Sequence, residues 1–149
     1  LEWPAAYQSV FSDWIQKHDY TSYPHSRFKI QDSRLKIKEM NVKDVAERLS
    51  LNVFSAQNSL DREVTGGYAS DLLSDVMGHA QEGQIWITLQ THKNIMAVAS
   101  LKDLAAIILV KGFEPDQDTL ELSAKEGIPV LGTRMQAFEL AGKLYEILK

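Results

Sequence analysis

The chain has 149 residues, 44% of them hydrophobic, with a net charge of −4 and a pI near 5.5. That is enough for one packed domain, or one domain with an appendage, and the acidic balance argues against general nucleic-acid binding, which needs a basic field. The lack of cysteine excludes disulfides, thiolate zinc sites, iron–sulfur ligation and thiol nucleophiles, and the longest apolar run, Ala105 to Val110, is too short to cross a bilayer.

Residues 1–34 differ in pattern from the rest. Pro4 suits a helix start, and Tyr7, Val10, Phe11, Trp14 and Ile15 recur at spacings of three and four. This predicts an amphipathic helix from Pro4 to Lys17 with an aromatic face, followed by a polar, turn-rich stretch. A lone helix of this length is marginal in water, so its apolar face is expected to be buried. It packs either on the main domain or on a partner, through Tyr7, Phe11 and Trp14. No basic n-region and cleavage site follow Leu1, so a cytoplasmic location is expected, with upstream sequence left open.

From Leu35 the pattern becomes regular. Leu35 to Lys38 alternates as a short strand, Asn41 caps a helix over roughly 42–50, and Leu51 to Phe54 reads as a strand. Glu63-Val64-Thr65 reads as extended, Gly66-Gly67 as a turn, and Ser70 and Asp71 as the cap and first charge of a helix through Leu72, Leu73, Val76 and Met77. Gln84 to Leu89 is apolar on both faces, as a central buried strand must be. A helix from Asn94 to Lys102 and a second buried strand from Ala105 to Val110 follow. Pro115 and Asp116 open a helix over 116–126 that Gly127 closes. Ile128 to Leu131 is a third strand, and Thr133 caps a last helix over 134–148 with Phe138, Ala141, Leu144, Tyr145 and Leu148 inward. Strands alternating with helices predict right-handed crossovers and an α/β fold with a mainly parallel sheet.

Two clusters carry chemistry. Thr65-Gly66-Gly67 before a capped helix can cradle a phosphate or carboxylate on backbone N–H groups, with Arg62 as its fork; it can equally be a tight turn. It lacks the Gly-Lys-Ser/Thr of a phosphate loop and the glycine spacing of a dinucleotide fingerprint. The second cluster is Thr88, Gln90, Thr91, His92 and Asn94, at the C-terminal end of the Trp86 strand. Ligands of open parallel sheets bind along that edge, where strand order reverses. His92 is either an anchor or base there, or a structural residue. The next edges bring Lys111-Gly112 and Gly132-Thr133-Arg134. The scattered His18, His25, His79 and His92 give no metal-ligand spacing. No nucleophile elbow is present, and the sequence nominates no reaction, metal or cofactor.

Asp61-Arg62-Glu63-Val64-Thr65-Gly66-Gly67 resembles the signature of the DRTGG domain family, with Glu63 and Val64 inserted before the threonine. The helix Tyr68 to Met77, the strand Ile85-Trp86-Ile87-Thr88, the turn His92-Lys93-Asn94-Ile95 and the segment Ile128-Pro129-Val130-Leu131 extend the resemblance over about 37–149. It implies a three-layer α/β domain similar to the N-terminal domain of HPr kinase, used as a regulatory module beside CBS domains, in phosphotransacetylases and in regulated pyrophosphatases. Small stand-alone members occur in anaerobes beside iron-only hydrogenase and redox-sensing genes. The kinase label does not carry over, because that activity needs a phosphate loop in a separate domain.

The expectation is therefore a helical extension, 1–34, and a DRTGG-like α/β domain, 35–149. Its function is expected to be non-catalytic regulation or ligand sensing, with an adenine nucleotide or other anion as ligand and a homodimer as the acting form. The expected ligand site is Arg62, Thr65, Gly66, Gly67, Ser70, Thr88, His92 and Asn94. The alternative is a protein-interaction subunit docking through the N-terminal aromatic helix, linked to anaerobic redox or hydrogenase systems. Neither reading involves nucleic acid or a membrane.

Overall fold

The structure, a computed structural model, describes residues 39–149. The aromatic helix expected over 4–17, with Tyr7, Phe11 and Trp14, and the strand Leu35 to Lys38 lie outside the described residues.

The elements run α1 (Val42–Arg48), β1 (Asn52–Val53), a 3-10 turn (Gln57–Ser59), β2 (Gly66–Ala69), α2 (Leu73–His79), β3 (Gln84–Thr88), α3 (Asn94–Leu101), β4 (Ala106–Leu109), α4 (Gln117–Glu126), β5 (Val130–Gly132) and α5 (Ala137–Leu148). Local chemistry explains several boundaries. Asn41 Oδ1 accepts from the Asp44 amide at 2.9 Å while Asp44 Oδ2 accepts from the Asn41 amide at 3.3 Å, a reciprocal capping box that starts α1. Gly127 takes φ 65° and ψ 32°, the left-handed conformation that ends α4.

The five strands form one sheet in the order β1-β5-β4-β3-β2. β2 to β5 are parallel, and β1 pairs antiparallel with β5. Because each parallel strand lies beside its predecessor, right-handed crossovers put α2, α3 and α4 on one face. α1 and α5 cover the other, where Val42, Val45, Ala46, Leu140 and Leu144 pack on Ile85, Ile87, Ile108 and Leu131. Trp86, Ile107 and Leu109 alternate toward the first face and are fully buried. The expected α/β class, three layers on a mainly parallel sheet, is thus found.

Three local expectations are corrected. Gly66 and Gly67 are the first residues of β2, paired with Gln84 and Ile85, and neither has a positive φ. The glycine pair is therefore strand and not turn. Two helices also start later than expected: α2 at Leu73 and α5 at Ala137, with Leu72 and Gln136 at the cap positions. Ser70 Oγ instead accepts from the Leu72 amide at 3.2 Å and Thr133 Oγ1 from the Met135 amide at 3.2 Å, so each hydroxyl closes a turn before its helix. Finally, Phe138 is 93% exposed and Tyr145 64%, while Leu140 and Leu144 are buried. Ala141, Leu144 and Leu148 pack toward the core as expected and are joined by Leu140 and Ile147, so the stripe turns away from the side that Phe138 and Tyr145 mark.

Candidate functional site

The residues expected to form one pocket fall into two groups. Arg62 and Thr65 sit at the N-terminal edge of the sheet. Arg62 Nη2 donates to Asp103 Oδ1 at 2.5 Å and to the Leu104 carbonyl at 3.1 Å, just before β4. Thr65 Oγ1 donates to the Glu82 carbonyl at 2.8 Å, and its amide donates to the Gly83 carbonyl at 2.9 Å, just before β3. Gly66 and Gly67 follow on β2. Ser70, Thr88, His92 and Asn94 lie at the C-terminal edge. β3 is five residues long, so the two ends of the sheet are about 13 Å apart. Sequence order and a shared motif brought together what the strands hold apart.

The C-terminal edge of β2 and β3 is organised by Asp71. Its Oδ1 accepts from the Thr88 hydroxyl at 2.8 Å and from the Leu89 amide at 2.7 Å, and its carbonyl accepts from Gln90 Nε2 at 3.1 Å. The Ser70 carbonyl accepts from Trp86 Nε1 at 2.7 Å. Thr91 offers its carbonyl to the Asp116 amide at 3.1 Å and to the Thr119 hydroxyl at 2.7 Å, which ties this edge to α4. The His92 carbonyl accepts from the Ile95 amide at 3.1 Å in the first turn of α3, and its buried ring Nδ1 has no partner among the described residues. Most polar groups here are committed to holding loops together.

One step beyond Ser70, Tyr68 donates its hydroxyl to Asp75 Oδ2 at 2.9 Å, and His79 Nδ1 lies 3.1 Å from Asp75 Oδ1. Hydrogen bonds from Ser70 and then Tyr68 hold the Asp75 carboxyl below its ordinary range, aided by His79 and opposed by burial. The Tyr68 phenol is pushed up by burial first, then by its bond to Asp75 and that residue's charge.

The C-terminal ends of β4 and β5 are more open. The Lys111 amide donates to the Met135 carbonyl at 2.9 Å and the Gly112 amide to the Thr133 carbonyl at 2.8 Å, which zips the two exit loops together. Beside them lies a basin of about 820 Å³ lined by Arg48, Phe54, Phe113, Glu114, Arg134 and Lys143 among others. Lys143 Nζ is 2.7 Å from Glu139 Oε1, whereas Arg48 and Arg134 make no salt bridge among the described residues. Sequence reasoning placed Gly112 and Arg134 at this sheet edge but had no reason to add Arg48. That residue comes from the last turn of α1, far away in the chain and outside any motif.

A separate groove of about 480 Å³ follows β2 beneath α5, lined by Thr65, Gly66, Gly67, Leu144, Tyr145 and Leu148 among others. No strand pairs with the outer edge of β2 among the described residues. In β2 to β5 the strand order never reverses, so the parallel run has no switch point of the kind expected.

No curated protein matches this chain. Among solved structures it is similar to the CBS and DRTGG domains of the regulatory region of Clostridium perfringens pyrophosphatase, a structure complexed with the activator diadenosine tetraphosphate. The TM-score is 0.55 at 18% identity, over 70% of this chain and 45% of that one. The chain thus spans less than half of that neighbour, and at this identity the likeness concerns the fold. A family model described as the DRTGG domain matches residues 44–147. With most of its length matched by that model, the chain belongs to the DRTGG domain family.

Proposed function

We propose that this chain is a non-catalytic regulatory domain that senses a small anionic ligand, an adenine nucleotide or another anion, and acts through dimerisation. The observation that carries the reading is the pair of arginines, Arg48 and Arg134, without salt-bridge partners among the described residues at the rim of one basin on the C-terminal side of a parallel sheet. Guanidinium groups that line one concavity and have no salt-bridge partner among the described residues attract phosphate or carboxylate, which their fork geometry matches. A volume of about 820 Å³ suits a ligand of nucleotide size. The C. perfringens regulatory region, similar in fold, is described with a dinucleotide activator bound.

The dimer part of the reading rests on β2. Among the described residues β2 is the terminal strand; such a strand offers unpaired N–H and C=O groups, and two copies meeting about a two-fold axis satisfy them in one continuous sheet. α5 connects the two regions, because Lys143 lines the basin while its neighbours Leu144 and Tyr145 line the β2 groove. A ligand that shifts α5 changes both together.

Calorimetric titration with AMP, ADP and ATP, with light scattering of the same samples, tests this reading. Saturable heat with at least one nucleotide and a ligand-dependent change in dimer content are expected. No heat from any of the three at millimolar concentration overturns it.

A further inference from the structure

The geometry points to the basin at the β4–β5 exit as a nucleotide site that stacks a base on aromatic rings and holds phosphates on Arg48 and Arg134. This inference rests on the sensing role proposed above and commits it to one place and one ligand class.

The first ground is Phe113, which is 47% exposed although it belongs to a chain with a well-filled core. The turn that presents it is held in place. Lys111 has φ 60° and Gly112 φ 76°, two successive left-handed residues, and the Phe113 amide closes the turn on the Val110 carbonyl at 3.2 Å. A left-handed conformation is unfavourable for lysine, yet the two hydrogen bonds to the β5 exit fix it there. The turn that presents the exposed ring is thus fixed at the basin that Arg48 and Arg134 also line.

The second ground is Phe54. Its ring lies so close over Gly132 that any side chain there would overlap it. The absence of a Cβ on β5 lets an aromatic ring form part of the basin's wall. Two rings and two arginines around one concavity match a ligand with both a π-face and phosphates, since bases stack on aromatic side chains irrespective of sequence.

The third ground is Glu114, which lines the same basin. A carboxylate repels a bare anion and is out of place in a simple phosphate site. It is in place for a ligand that also carries donors, as a ribose diol and an exocyclic amine do.

Titration of the full chain with ADP and with inorganic pyrophosphate tests the assignment, with far-UV circular dichroism verifying that each variant is folded. The wild type is expected to bind ADP about tenfold or more tightly than pyrophosphate, the share that base stacking supplies. F113A is expected to remove that preference while leaving pyrophosphate affinity within about twofold. R48A/R134A is expected to weaken both ligands by about tenfold or more, because each loses charge-assisted bonds. K125A, an exposed cation on α4 away from the basin, is expected to bind as the wild type does. If the wild type binds ADP and both basin variants bind it unchanged, the site is elsewhere and the assignment fails while the sensing role stands. Pyrophosphate binding as tightly as ADP, with F113A unaltered, overturns the nucleotide class. No binding of either ligand by the wild type overturns the sensing role and this inference with it.

Discussion

A side chain at Gly67 would place its Cβ 2.9 Å from Leu144 Cδ2. Leu144 is 2% exposed, part of the core that α5 makes with the sheet, so it cannot swing aside freely. The second glycine of the signature is thus a packing residue, which lets α5 lie close on β2, the terminal strand among the described residues. Gly67→Val is expected to lower unfolding free energy by about 1–3 kcal/mol, the usual consequence of overpacking. At Gly66 the nearest atom to a Cβ would be Gln84 Nε2 at 3.5 Å, and Gly66→Ala should stay within about 0.5 kcal/mol of the wild type. Urea denaturation of the two variants settles this. Equal effects at both positions would remove the packing explanation.

The arginine of the same motif also has a structural partner. Arg62 bridges to Asp103 and to the Leu104 carbonyl, with 28% of its side chain exposed against 64% for Asp103. The ion pair alone is well solvated and contributes at most about 1 kcal/mol. The bond to the carbonyl and the packed aliphatic stem add to it. Arg62→Ala is therefore expected to destabilise by about 1–2 kcal/mol. Asp103→Asn, which keeps a side chain tolerant of φ 47° and removes only the charge, should destabilise by less, with a difference that shrinks in high salt. A larger loss for Asp103→Asn than for Arg62→Ala contradicts this ordering.

Asp71 joins two strand ends that no local pattern connects. Replacing it by alanine leaves the Thr88 hydroxyl, on a residue only 2% exposed, without its acceptor. Asp71→Ala is expected to be destabilised by about 1–3 kcal/mol, and the double variant with Thr88→Val by less than the sum of the two singles. Strict additivity in that thermal-unfolding cycle would mean the two groups act separately.

The fold was legible because its signals are local. Asn41 caps α1 where the sequence says it should, and the doubly apolar stretches around Trp86 and Ile107 become central strands. The details of the candidate site were not local. A glycine pair looks the same in sequence whether it turns the chain or admits a helix, and the residue that decides it, Leu144, belongs to the last helix. The shift of the α5 stripe has a similar origin, because Phe138 and Tyr145 outweigh Leu140 in any hydrophobic reading while only packing on β2 and β3 selects the face. Arg48 and Arg134 line one basin because β1 pairs antiparallel with β5 and brings the end of α1 to the β5 exit. No spacing rule records that arrangement.

The cluster of Ser70, Tyr68, Asp75 and His79 predicts a particular pH dependence. The Asp75 carboxyl is depressed from its ordinary value of 3.8, chiefly by the Ser70 hydrogen bond and then by Tyr68. A depressed folded-state pKa adds stability that is fully present above the unfolded value and lost as pH falls through the folded one. The Tyr68 phenol is raised from 10.0, first by burial. Its contribution is present below the unfolded value and lost as pH rises through the folded one. Asp75→Asn should therefore show a stability deficit at neutral pH that narrows below about pH 4. Tyr68→Phe should flatten the decline of the wild type above about pH 10. Thermal unfolding across both ranges measures the two limbs. An Asp75→Asn deficit that stays constant into acid would show that the carboxyl's charge contributes nothing to holding β2 and α2 together.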